Sequence, residues 1–147
     1  MKVRFILGQL LLRVSLGIGF LLPVCDRLGF FGDAGDPNVI WGDWKNFIAY
    51  TNVLMPYIDL ATASYFGFVA TVLEVLFGVL LIVGFKIKYA ALGSFGLTLI
   101  FAFSMLFFLH IRAPFNYAVF VVSFSSLILS TLPHFPWSFD NLINTND

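Results

Sequence analysis

Four apolar runs, at 5–24, 62–84, 89–109 and 115–132, alternate with short polar stretches along the chain. At ~1.5 Å per residue, helices of these lengths suit a hydrocarbon layer of ~30 Å. The fourth run is the shortest, but it carries no ionisable residue, and Pro114 ahead of it suits the first turn of a helix. Only 85–88 separates the second run from the third, and only 110–114 the third from the fourth, so each pair is expected to form an antiparallel hairpin. Any other structure must sit in the long connection, 25–61. There Gly35, Asp36 and Pro37 mark a turn, and Asp43 is a candidate N-cap for a helix that places Trp44, Phe47, Ile48 and Thr51 on one face and ends by Pro56. The expected fold is an all-α membrane protein. It is a single transmembrane domain over 1–147: a four-transmembrane-helix bundle with a short interfacial or re-entrant helix in the first extracytoplasmic loop.

Composition agrees with that pattern, because 60% of the 147 residues are hydrophobic and 11% are charged, too apolar a surface for a soluble domain of this size. Eight basic and eight acidic residues give no net charge, so nucleic acid is not an expected partner and the lipid bilayer is. Lys2, Arg4, Lys86 and Lys88 fall on one side of the expected bundle and Arg27, Lys45 and Arg112 on the other. The two lysines crowded into a short turn place both termini in the cytoplasm of a multi-pass protein in a bacterial-type inner membrane. Leu22, Pro23 and Val24 before Cys25 lack the small residues of a signal-peptidase or lipoprotein site, so the first helix is expected to be retained.

Two ionisable residues stand where a membrane disfavours them. Arg13 is near the middle of 5–24 and Glu74 near the middle of 62–84, which puts both at one depth. A central charge costs about 2.5–3.5 kcal/mol on insertion scales, so an Arg13–Glu74 ion pair facing the bundle interior is expected. Such a pair either fixes helix register or binds a polar headgroup, a quinone carbonyl or a proton. A second candidate site lies in the outer loop. Arg27 is expected to snorkel to the interface, and Asp26 to turn inward to a partner in the loop. Tyr50 and Asn52 would orient a small ligand if the loop helix is a lid, whereas an aromatic belt would only anchor it.

Complete catalytic constellations are not visible. Cys25 has no second cysteine to pair with, and the expected topology puts His110 and His134 at opposite faces, so neither a dithiol relay nor a metal site is expected. Phe101, Phe103, Phe107 and Phe108 read as packing or lipid-facing groups, and Gly93, Gly96, Ala90 and Ser94 as a close helix contact. The tail with Phe135, Trp137 and Phe139 is expected to rest at the interface before fraying.

Several blocks resemble one family. The first helix with Arg13, Gly17 and Gly19, the turn Asp26-Arg27-Leu28-Gly29, the block Trp41-Gly42-Asp43-Trp44, then Tyr50-Thr51-Asn52, and Glu74 followed by Gly78, Gly84 and Lys86 are similar to DoxX-like membrane proteins. The resemblance covers most of the chain and rests on the order and spacing of short motifs. It implies an accessory or quinone-interacting subunit of a membrane redox system, such as quinone-linked sulfur oxidation. It also implies a redox protein as partner and quinone as candidate cofactor, while the small residues on the first and third helices suit a homo-oligomer and the missing ligand sets leave no intrinsic cofactor expected. By position Arg13 and Glu74 match the family's intramembrane polar residues and Asp26 and Arg27 its outer polar turn, with no established catalytic role. A small-solute carrier and a non-catalytic scaffold are the alternatives.

Overall fold

The computed structural model describes residues 2–144, all helical or irregular. Seven helices follow in order: α1 (Lys2–Arg27), α2 (Trp44–Leu54), α3 (Leu60–Val83), α4 (Ile87–Phe108), α5 (Ala113–Asn116), α6 (Val119–Thr131) and α7 (Phe139–Asn144). Three of them, α1, α3 and α4, are long and apolar enough to cross a membrane, the mark of a multi-pass membrane protein. α6 is apolar but short. Its 13 residues reach about 20 Å at 1.5 Å per residue. The expected continuous helix over 115–132 is instead broken: Ala118 is left-handed, with φ 53°, and separates α5 from α6. Pro114 starts only the single turn of α5.

The apolar helices pack in two tight antiparallel pairs. α4 and α6 meet along small residues, with Ala90, Ala91, Ser94, Thr98 and Ala102 buried on α4 against Ser123, Ser126 and Leu129 on α6. Small side chains let the backbones approach, and two of their hydroxyls are satisfied within their own helix: Thr98 donates to Ser94 O at 2.7 Å and Ser126 to Val122 O at 2.9 Å, while Ser94 Oγ is buried without a partner among the described residues. Ser123 donates across the pair to Phe95 O at 3.1 Å. α1 and α3 form the second pair around Gly17, where an added Cβ would stand 2.7 Å from Gly78 O. That contact fixes their register.

The register overturns one expectation. Gly17 lies against Gly78, Arg13 against Gly84, and Arg27 against Thr71 and Glu74. α1 is therefore displaced along α3, and its first three turns run past the end of that helix. Arg13 and Glu74 do not share a depth. The ten residues from Glu74 to Gly84 correspond to about 15 Å of helix.

α2 fills the space that the displaced α1 leaves beside the first half of α3. Asp43 caps it, accepting from Asn46 N at 2.7 Å. Phe47, Ile48, Thr51 and Leu54 are buried, with Phe47 and Ile48 against Gly67. At the opposite end, the segment after α6 does not lie loose. Asp140 accepts from Lys86 N at 2.7 Å and Ile87 N at 2.9 Å, capping α4 from far along the chain, while Asp140 N donates to Gly84 O.

Candidate functional site

The buried ion pair is formed by Arg27, not Arg13. Pro23 cannot donate its nitrogen to the helix, but α1 continues through it for another turn, which carries Asp26 and Arg27 to the helix end. There Arg27 Nη2 lies 2.7 Å from Glu74 Oε2, Nη1 donates to Thr71 Oγ1 at 2.8 Å, and Nε donates to Pro23 O at 3.1 Å. Thr71 gives its own proton to Gly67 O, which turns an oxygen lone pair toward Arg27. Aromatic rings close the remaining side: the guanidinium carbon is 3.9 Å from the centre of Phe47 and 5.2 Å from that of Trp41. Arg27 keeps only 2% of its surface exposed. The snorkelling expected of it is therefore corrected; a buried carboxylate and two aromatic faces offer the guanidinium more than the interface does.

Asp26 is likewise buried, and it faces the loop. Its carboxylate accepts from Ile40 N at 3.1 Å and Trp41 N at 2.8 Å, so it holds the Trp41 ring beside Arg27. Tyr50 joins through Trp41, with ring centres 5.8 Å apart, and burial raises its phenol above the ordinary range. Asn52 stands outside this group. Its amide donates to Ile58 O and ties down the connection between α2 and α3. Among the described residues, Trp41 Nε1 is buried without a hydrogen-bond partner. The arrangement thus holds a guanidinium, a carboxylate and a spare N–H donor behind aromatic walls.

Arg13 occupies a second polar centre, at the end where α3 turns into α4. It is 2% exposed, donates from Nη2 to Trp137 O at 2.9 Å, and leans on Gly84, whose missing Cβ makes room for Nη1. Gln9, one turn earlier, donates to Pro136 O at 2.7 Å. The segment after α6 therefore docks over α1, a contact more specific than the interfacial rest expected of Phe135, Trp137 and Phe139. Gln9 and Asp140 were missed as well. The i, i+4 spacing of Gln9 and Arg13 on one face of an apolar helix was the available signal.

Cys25 is half-buried, His110 and His134 are exposed, and among the described residues no three His, Cys, Asp or Glu side chains converge as a metal site would require. No family model, curated protein or solved structure matches the chain.

Proposed function

We propose that the chain is a DoxX-like four-span protein of a bacterial-type inner membrane, with both termini cytoplasmic, acting as an accessory, quinone-interacting subunit of a membrane redox system. α5 and α6 together make the fourth span, and α2 is the re-entrant element of the outer loop. The observation that carries the reading is the Arg27–Glu74 pair walled by Trp41 and Phe47, with Trp41 Nε1 unpartnered beside it. A quinone carbonyl accepts from such a donor, its ring stacks on such walls, and a carboxylate held against a guanidinium is a natural stop for a proton. Electrons come from a partner protein, since this chain supplies binding and orientation.

A scaffold without turnover is the second reading, favoured because each of the three nitrogens of Arg27 already has a hydrogen-bond or ion-pair partner within the chain. Mass spectrometry of small molecules retained in native lipid particles separates the two. Quinone enriched on the wild type and lost from Glu74→Gln and Trp41→Phe supports binding. Folded wild type without quinone leaves the scaffold.

A further inference from the structure

Two cavities meet on the lipid-facing side of the α3–α4 turn. One, of about 230 Å³, is lined by the apolar side chains of Val79, Leu80, Val83, Phe85 and Phe139. The other, of about 340 Å³, adds Trp137, Ser138, Asn141 and Leu142 to the shared Val83 and Phe139. Together they make one groove that passes from wholly apolar to partly polar. At the polar end stands Ser138, whose Cβ and Arg13 Nη1 crowd the same point, 2.7 and 2.6 Å from where a Gly84 Cβ would be.

Arg13 lies directly behind this wall and is short of partners. Among the described residues its Nε and Nη1 have no acceptor, no carboxylate reaches ion-pair distance, and the neighbouring Gln9 Oε1 has no donor. Asp140 acts on Arg13 electrostatically but stands beyond ion-pair distance, with its carboxylate oxygens hydrogen-bonded to the first amides of α4. Lys86 and Lys88, both exposed, add positive charge at the same end. The acceptor Arg13 does have is a neutral carbonyl of Trp137, a residue held at φ 57°, a region that side chains other than glycine rarely adopt. An anionic oxygen is a stronger partner for a guanidinium than that carbonyl.

We propose that this groove binds an amphiphile with an anionic head, the acyl chain lying along Val79, Leu80, Val83, Phe85 and Phe139 and the phosphate or carboxylate taking the Trp137 carbonyl's place on Arg13. The site is separate from the Arg27–Glu74 centre and does not depend on the redox reading.

The test is native mass spectrometry of the full chain released from detergent, offered dioleoyl phosphatidylglycerol, oleate or the uncharged dioleoylglycerol, which has the acyl chains without an anionic group. One retained phosphatidylglycerol or oleate is expected, with dioleoylglycerol about tenfold weaker or worse, the cost of losing one charge-assisted contact. Phosphatidylglycerol alone identifies the head as a lipid phosphate, and oleate alone as a free carboxylate. Arg13→Gln should erase the preference for the anionic head. Val83→Phe, on an exposed position lining both cavities, should weaken all three while leaving the fold intact, and it carries the test if Arg13→Gln does not fold. Equal retention of the anionic amphiphiles and uncharged dioleoylglycerol by the wild type, or unchanged retention by folded Val83→Phe, overturns the proposal.

Discussion

Replacing Glu74 by Leu removes the carboxylate 2.7 Å from Arg27 and leaves a guanidinium buried to 2% exposure. Breaking a buried pair from one side costs about 3–5 kcal/mol, because the survivor is stranded away from water. Here Arg27 would retain Thr71 Oγ1, Pro23 O and the face of Phe47, which puts the expected loss near the lower figure, about 3 kcal/mol. Arg27→Met strands the carboxylate with less left around it and should cost about 4 kcal/mol. The double variant removes both charges, fills the space with apolar atoms, and should return to within about 1 kcal/mol of the wild type. The coupling energy is then about 6 kcal/mol, far beyond the ~0.5 kcal/mol within which independent sites add. A parallel cycle of Arg13→Gln with Glu74→Leu should be additive within about 0.5 kcal/mol, since the two side chains sit at separate levels of α3. Unfolding in mixed micelles with increasing dodecyl sulfate, followed by Trp fluorescence and helical circular dichroism, measures both cycles. Additivity in the Arg27–Glu74 cycle, or strong coupling between Arg13 and Glu74, would refute the pairing and the displaced register together.

The same unfolding assay reaches four other features. Gly17→Ala places a methyl group 2.7 Å from Gly78 O and should cost about 1–3 kcal/mol, whereas Gly19→Ala, facing open space, should stay within about 0.5 kcal/mol. Asp43→Ala deletes the N-cap of α2 and should cost about 1 kcal/mol; a change indistinguishable from zero would mean that packing alone holds that helix. Asp26→Asn offers one acceptor oxygen to the two amides of Ile40 and Trp41, so a loss of about 1–3 kcal/mol is expected, with altered Trp fluorescence. Burial first, and Tyr117 second, raise the Tyr50 phenol above its ordinary range, so the folded chain holds that proton longer than the unfolded one. The resulting stability is complete below about pH 10 and is lost as pH rises through the shifted value; Tyr50→Phe should flatten that decline in an alkaline unfolding series.

The long helices were legible because hydropathy alone specifies α1, α3 and α4, and the cap of α2 was legible because Asp43 stands just before a one-sided apolar pattern. The break at Ala118 was not, since a left-handed alanine carries no signal comparable to glycine or proline. The wrong ion pair came from centring each apolar run in the same slab. Helices are set against one another by side-chain packing, and here the close approach of Gly17 to Gly78 decides. Glu74 precedes Gly78, so in an antiparallel pair it lies on the Arg27 side of Gly17. The glycines held that information, and hydropathy did not.

The displacement of α1 also explains why the bundle carries two buried arginines with unlike surroundings. Arg27 and Arg13 mark the two ends of the stretch over which α1 and α3 overlap, and each is roofed by a different irregular segment: the loop before α2 for one, the chain after α6 for the other. At the first end a carboxylate from α3, a threonine and two rings complete the guanidinium's environment. At the second, the acidic residue that arrives, Asp140, is taken by the amides of α4, and the arginine makes do with a single carbonyl. A charge neutralised within the chain can hold register without any ligand. One left with unpartnered donors and no carboxylate at ion-pair distance beside a groove gains most from an anion brought from outside, so ligand binding at Arg13 should depend on charge, and at Arg27 on whether the aromatic wall can open.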